Sequence, residues 1–307
     1  MAFAIRMPRL AAPFRRPQGT LLSDPSGIRR CWPRSHAGAV QVRQCDYSGE
    51  QYVLEIINRP FVLFVVSFVL MFVAAWVGSS VLRARAELDE DGRDDFKTVQ
   101  SATLTLLALV IGFSLSMAVG RYDQRKNLEE EEANAIGTEY IRANLLQDSV
   151  AAGIRSKLAQ YTELRIEFYQ TRDHQRVEQI NAATGSLQDK LWSAVKDGAK
   201  AQPNPVTALA VAGMNDIINS QGYTQAAWWN RIPHAAWLLM IVIGVFSNLL
   251  VGYGVKNARA KNRFLLVMPL TVALSFMLIA DIDSPRSGII RVVPQNLIST
   301  AQSLHTP

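Results

Sequence analysis

Few side chains in this 307-residue sequence have the types and spacing that catalysis or metal binding requires. The four histidines lie far apart and share no ligand-like spacing: His36, His174, His234 and His305. Both cysteines, Cys31 and Cys45, fall within the first fifty residues, so a disulfide framework or a Cys-ligated metal site is excluded from the rest of the chain. The phosphate-loop, GxSxG, HExxH and CxxC motifs do not occur. We therefore predict no enzyme activity, no cofactor and no metal.

The most informative spacing is that of small residues in an apolar stretch. Four of them recur every four residues: Ala108, Gly112, Ser116 and Gly120. This spacing places them on one face of a helix, and a face of small residues is typical of close helix packing in a membrane. We predict that this face contacts neighbouring helices.

A second stripe with the same spacing predicts a pore neck formed by Thr105, Leu109 and Phe113. If the small face packs on neighbouring copies, this stripe can face a central axis, where a symmetric oligomer would stack rings of hydroxyl, Leu and Phe. Hydrophobic rings of this kind can gate a channel by dewetting. The alternative is a lipid-facing or core position for the same residues.

Arg121, Arg125 and Glu129 follow directly, beside a run of four acids that ends at Glu132. In an oligomer they would form stacked rings of both signs around an ion-attracting vestibule, and the basic ring nearer the membrane would favour anions. The alternative is a solvated helix stabilised by pairs four residues apart, such as Arg125 with Glu129.

Membrane spans must position these residues. Only 19% of the residues are charged, against about 25% in ordinary soluble domains. Four stretches lack Asp, Glu, Lys and Arg, and a helix of roughly 20 apolar residues crosses a hydrocarbon layer of about 30 Å. We predict an all-α integral membrane protein with four transmembrane helices, two on each side of a helical insert, at about residues 60–82, 98–120, 232–255 and 264–280.

The insert covers residues 121–230, where apolar residues follow helical spacing in three stripes. The stripes run from Ile154 to Phe168 and from Val177 to Val195, and the third is Val206, Leu209, Gly213, Met214 and Ile217. No segment alternates with the period of a strand. We predict three or four helices outside the membrane, the first of which continues directly from the second span.

Residues 1–50 form an Arg-rich leader ahead of a membrane domain at residues 51–307. Eight arginines and three acids give the leader +5 of the net charge of +6, so the rest of the chain carries a net charge of only +1, too little to indicate nucleic-acid binding. Prolines interrupt every apolar run, which predicts disorder rather than a secretory signal. A targeting or anionic-lipid-binding arm and an over-extended translation start are the alternatives.

Residues from about 55 to 305 resemble the bacterial bestrophin-like domain family, through LALVIGFSLSMAVGRYDQRKNLEEEEANAIGTEYIRANLL and ADIDSPRSGIIRVVPQNL. More distantly, IGFSLSMAVGRYDQRKNL is similar to the second span of bestrophin anion channels, with Gly112-Phe113, Arg121-Tyr122 and Asn127-Leu128 at the matching places. The acidic calcium clasp after the last span of animal bestrophins is reduced here to Asp281, Asp283 and Gly288.

The resemblance implies a pentamer in a bacterial inner membrane, with cytoplasmic termini and insert. It places the neck at Thr105, Leu109 and Phe113, although Thr105 is polar where the family is apolar and Leu109 replaces an aromatic residue. The implied function is passive conduction of small anions by a homo-oligomer in the lipid bilayer.

The competing hypothesis is a non-conducting membrane scaffold or sensor, in which the insert binds a partner and the spans only anchor it. The oligomeric state in detergent discriminates between the two. A ring of four or more copies favours conduction, whereas a monomer or dimer leaves no axis for a pore.

Overall fold

The computed structural model describes residues 59–82, 89–255 and 258–305, which form helices and the turns between them. The eight α-helices in these ranges are α1 (Pro60–Val77), α2 (Glu90–Arg142), α3 (Asp148–Gln170), α4 (His174–Ala201), α5 (Thr207–Trp229), α6 (His234–Gly254), α7 (Ala258–Asp283) and α8 (Gln295–His305). A π-helical turn, Gly78–Leu82, extends α1. The predicted leader, with both cysteines, lies outside the described residues.

The predicted all-α membrane fold with four spans is confirmed. Four helical segments are long and apolar enough to cross a membrane, within Pro60–Leu82, Gly92–Leu145, Thr207–Gly254 and Leu265–Asp283. Each includes all or nearly all of one of the four stretches without charged residues.

The second helix is much longer than a membrane is thick. α2 has 53 residues, which at 1.5 Å per residue is roughly 80 Å, against about 30 Å of hydrocarbon. Asp89 caps its first turn, because the Asp89 carboxylate accepts a hydrogen bond from the Gly92 amide at 3.0 Å. The predicted continuation of the second span into the insert is therefore correct.

The described residues form two hydrophobic cores along this helix. In the membrane, buried side chains of α1, α6 and α7 pack together, among them Met71, Met240 and Phe276. Outside it, α3, α4 and α5 pack against the distal part of α2 through residues such as Leu158, Leu191 and Met214. α2 belongs to both cores and joins them.

The first two of the three predicted insert stripes are buried or half-buried along their length, but the first two residues of the third stripe are misplaced. Val206 is 50% exposed and Leu209 is 48% exposed. The Asn204 side chain accepts hydrogen bonds from the amides of Val206 and Thr207 and so fixes where α5 begins. That start turns Ala210, Met214 and Ile217 into the core and leaves Val206 outside the helix.

Spans one and three approach each other closely at two glycines. A β-carbon on Gly252 would overlap the backbone of Ala75, and one on Gly78 would overlap the backbone of Leu249. Small residues permit such approach between membrane helices. These two contacts therefore set the separation of α1 and α6.

We expect Gly252→Ala to lower the melting temperature of the purified protein in detergent, followed by circular dichroism. The added methyl group must push two backbones apart, and such overpacking costs about 1–3 kcal/mol. Gly222→Ala in α5 is the matched control, because a β-carbon there meets no neighbouring atom within 4 Å. Equal melting of the Gly252→Ala variant and the wild type would contradict the close contact.

Candidate functional site

The predicted neck residues lie uncovered on the membrane part of α2. Leu109 is 51% exposed and Phe113 is 65% exposed. Thr105 is also exposed, and its hydroxyl donates to the carbonyl of Ser101 within the same helix at 2.9 Å. The described part of one chain thus leaves the whole stripe open to lipid or to other copies.

The small-residue face is equally uncovered, because Ala108, Gly112, Ser116 and Gly120 are all exposed. A β-carbon on Gly112 or Gly120 would meet no neighbouring atom within 4 Å. The close contact expected of this face is not made within the described residues of one chain. Contact with another copy stays a prediction.

The opposite side of α2 is the side that packs. Leu107, Ser114 and Ala118 are buried, and Leu107 and Ala118 share a cluster with Phe276 of span four. With 3.6 residues per turn, these positions lie roughly 140–180° around the helix from Leu109. The chain's own spans therefore hold α2 with the neck stripe pointing away from them.

The packed side continues beyond the membrane as a row of charges: Arg121, Arg125, Glu129 and Glu132. Arg125 and Glu129 are each 1% exposed, and Glu132 is fully buried. Both sequence-based interpretations are therefore wrong for Arg125 and Glu129, since a vestibule charge and a solvated pair each need contact with water. We call this row the buried charge row.

Arg125 binds the ends of two other helices. Its guanidinium donates to the carbonyls of Ala227 and Asn230 at the end of α5, each at 3.4 Å. It also donates to the carbonyls of Ile282, at 3.4 Å, and Asp283, at 3.0 Å, at the end of α7. Carbonyls in a last helical turn have no partner within the helix and carry partial negative charge. The Arg125 guanidinium therefore supplies hydrogen-bond donors to the C-terminal carbonyls of two helices.

Asp283 links these ends to the start of span three. Its carboxylate accepts hydrogen bonds from the Ile232 amide, at 3.2 Å, and from Arg231 Nε, at 3.1 Å. Arg121, the first member of the buried charge row, lies 3.5 Å from the same carboxylate. The predicted vestibule role of Arg121 is thus replaced by a mostly buried ion pair.

Glu129 holds the C-terminal helix. Its two carboxylate oxygens accept from the Leu297 amide at 2.8 Å and from the Asn296 side chain at 2.7 Å. Both donors lie in the first turn of α8, whose amides lack partners within the helix. Glu129 therefore acts as an N-terminal cap supplied by a distant helix.

Glu132 forms a buried ion pair with Arg165 of α3, at 2.5 Å, and accepts from the Thr224 hydroxyl of α5 at 3.2 Å. The Arg165 guanidinium also lies 4.3 Å from the centre of the Phe168 ring. Burial alone would lower the pKa of Arg165, but the charge of Glu132 raises it above its ordinary value. Arg165 therefore stays charged, and its pair with Glu132 ties three helices together.

The aspartates after span four bind backbone amides. Asp281 accepts from the amides of Ile289, at 2.7 Å, and Ile290, at 2.9 Å, and so closes the turn that follows the span. Among the described residues, no group of three or more His, Cys, Asp or Glu side chains could hold a metal ion.

Sequence reasoning identified the residues of the buried charge row but missed that their side chains face the rest of the chain. Arg121, Arg125, Glu129 and Glu132 are four, four and three residues apart, which is the spacing of one helical face. Eighteen residues are five helical turns, so Arg125 lies on the same face as the buried Leu107, eighteen residues earlier. By the same count, Asp123, Asn127 and Glu131 lie on the neck face, and all three are exposed.

Comparison with known proteins supports this architecture. A model of the bestrophin-like domain matches residues 61–297. The fold is similar to a variant of a bacterial bestrophin homologue from Klebsiella pneumoniae, with a TM-score of 0.58 and 13% identity over 80% of this chain and 97% of that one. A second variant from Klebsiella pneumoniae gives a TM-score of 0.56 and 13% identity over 78% and 97% of the two chains. No curated protein matches at the level of sequence.

We expect Arg125→Met to destabilise the protein strongly. The substitution leaves the carbonyls of two helix ends buried without their donor, and loss of hydrogen bonds to a charged group costs on the order of 3 kcal/mol. Thermal unfolding in detergent measures the effect. The matched control is Lys126→Met, because the neighbouring Lys126 is exposed and its loss should leave the melting temperature unchanged. Equal melting temperatures of the Arg125→Met and Lys126→Met variants would contradict the role of Arg125.

Proposed function

The chain belongs to the bestrophin-like domain family, and we propose from this that copies of it surround a central axis and form a passive ion channel. One observation carries the proposal. A helix that passes from the membrane into the insert leaves Leu109 and Phe113 uncovered, 51% and 65% exposed, while Leu107, Ser114 and Ala118 on its opposite side are buried. Lipid could cover the membrane part of this face, but its continuation outside the membrane is polar.

The side chains that continue this face beyond the membrane favour a position facing a central pore over one facing lipid. The neck stripe continues five turns further along α2, roughly 27 Å away. The residues there, each eighteen positions after one of the neck residues, are Asp123, Asn127 and Glu131, and all three are exposed. An apolar neck that opens into a hydrated mouth needs this order of side chains. The proposed assembly is a pentamer, as the resemblance implies, in a bacterial inner membrane with the insert in the cytoplasm.

The small-residue face suits contact between copies. Gly112 and Phe113 are adjacent in sequence, so their side chains point about 100° apart around the helix. When Phe113 faces the axis, Gly112 faces the side of the ring, where the next copy of α2 would lie. Gly112, where an added β-carbon would meet no atom within 4 Å, would let neighbouring helices approach closely. Gly120 follows Phe113 by seven residues and so lies within about 20° of the neck stripe.

The exposed charges where the proposed pore opens beyond the membrane favour a different ion from the anion that the sequence analysis predicts. The preference for anions relied on Arg121 and Arg125, and Arg125 is buried behind α2 while Arg121 pairs with Asp283. On the neck face itself, the exposed charges beyond the membrane are Asp123 and Glu131. Rings of carboxylates attract cations, so this mouth favours cations, whereas small anions remain what the bestrophin resemblance implies.

We expect Leu109→Ala and Phe113→Ala to raise single-channel conductance several-fold in planar bilayers, because each widens the apolar neck. Phe246→Ala is the matched control, since Phe246 is an exposed phenylalanine of span three outside the proposed pore. Unaltered currents in both neck variants would reject the neck. The absence of any current from the purified wild type would contradict the channel and favour the membrane scaffold or sensor.

In a sodium chloride gradient, we expect the reversal potential to lie closer to the equilibrium potential of sodium than to that of chloride. The double variant Asp123→Asn, Glu131→Gln should move it toward zero, because two rings of negative charge are removed. Asp189→Asn in α4 is the control, since it removes an exposed charge from a helix that does not contribute to the axis. A wild-type reversal potential closer to the equilibrium potential of chloride would overturn the argument from exposed carboxylates and support the anion channel.

A further inference from the structure

A cleft lies where three spans end and the insert begins, with a volume of roughly 910 Å³. Arg59 precedes span one, Arg231 precedes span three, and Ser284 to Ser287 follow span four, so the cleft lies at the membrane boundary. Arg172, in the turn between α3 and α4, contributes from the insert side. We call it the interfacial cleft.

The interfacial cleft is strongly cationic. Four arginines line it, Arg59, Arg172, Arg231 and Arg286, against a single carboxylate, that of Glu178. Arg286 has no carboxylate partner among the described residues, and burial, together with the charge of Arg165, lowers the pKa of Arg286 to about 10. Arg231 already pairs with Asp283, so an anion in the cleft would chiefly offset the charges of Arg172 and Arg286.

Arg286 is held rigidly for such a contact. Its Nη1 donates to the carbonyls of Phe168, at 2.8 Å, and Thr171, at 3.1 Å. Its guanidinium also lies 4.3 Å from the centre of the Trp228 ring and 4.5 Å from that of Phe168. A guanidinium fixed in this way loses little conformational entropy when it binds an oxyanion.

Unpartnered polar atoms in the same wall point to a ligand independently of the charge. Trp228 lines the cleft and is 5% exposed, and its indole Nε1–H has no hydrogen-bond acceptor among the described residues. Asn181 Oδ1 and Gln225 Oε1, also from the lining, have no donor there. Buried polar groups normally have partners, so the residues of this wall contain one donor and two acceptors that are unsatisfied among the described residues.

We propose that the interfacial cleft binds the phosphate headgroup of an anionic phospholipid that carries free hydroxyl groups, of the phosphatidylglycerol type. The arginines match the phosphate oxygens, and the indole N–H and the two amide oxygens bind the headgroup once their side chains turn toward it. The position at the ends of three spans favours a lipid over a soluble ion. Trp229 beside the cleft, 74% exposed, is the kind of aromatic residue that lies at the headgroup level.

The test measures the melting temperature of the purified full-length protein in neutral detergent while phosphatidylglycerol, phosphatidylcholine or inorganic phosphate is added. We expect only phosphatidylglycerol to raise it. Arg172→Gln and Arg286→Lys should each require about tenfold more phosphatidylglycerol for the same shift, since each loses a charge-assisted hydrogen bond. Arg172 is exposed, so its substitution should leave the fold intact.

Arg155→Gln is the matched control, because it removes one charge from α3 at a residue that hydrogen-bonds Asn144 and does not line the cleft. It should respond to phosphatidylglycerol as the wild type does. Three results would each overturn the proposal. Phosphatidylcholine could raise the melting temperature as much as phosphatidylglycerol does, or both cleft variants could need no more phosphatidylglycerol than the wild type for the same rise. The third is a full rise in melting temperature from inorganic phosphate alone. None of these results depends on whether the protein conducts ions.

Discussion

Two helix C-termini meet inside this protein, and their carbonyl groups must find hydrogen-bond donors there. Arg125 supplies the donors for α5 and α7 together. Around it, Arg121 and Asp283 join α2 to the start of span three, and Glu129 caps α8. Charged side chains that bind backbone groups therefore join the membrane bundle to the insert, beside Tyr122, which packs against both apolar cores.

This arrangement gives α2 two sides with different roles. One side carries Leu107 and Ala118 in the membrane and Arg125 and Glu129 outside it, and all four are buried. The other side carries the neck stripe and its polar continuation, and it remains uncovered. Because the buried side is fixed by other elements of the same chain, the orientation of the uncovered side is set before any copies assemble. The proposed channel and its ion preference both follow from that orientation.

The sequence was sufficient for the membrane architecture because charge-free stretches of about 20 residues have one common explanation. Helical spacing also predicted the buried faces of α3 and α4 and the continuation of span two. It could not predict the burial of Arg125 and Glu129, because a charged helical face looks the same whether it meets water or the ends of other helices. Val206 and Leu209 were misplaced for a local reason, since Asn204 decides where α5 begins.

The partners of Arg125 are main-chain carbonyls, and this has an evolutionary consequence. Any residue type at positions 227, 230 and 282 presents the same oxygen, so substitutions there that keep the helix ends in place leave the bonds of Arg125 intact. Selection for these bonds therefore acts on position 125 alone and creates no correlated pairs of substitutions. Homologues should keep an arginine at this position while the residues around it diverge, and contact inference from covariation would overlook one of the strongest links in the fold.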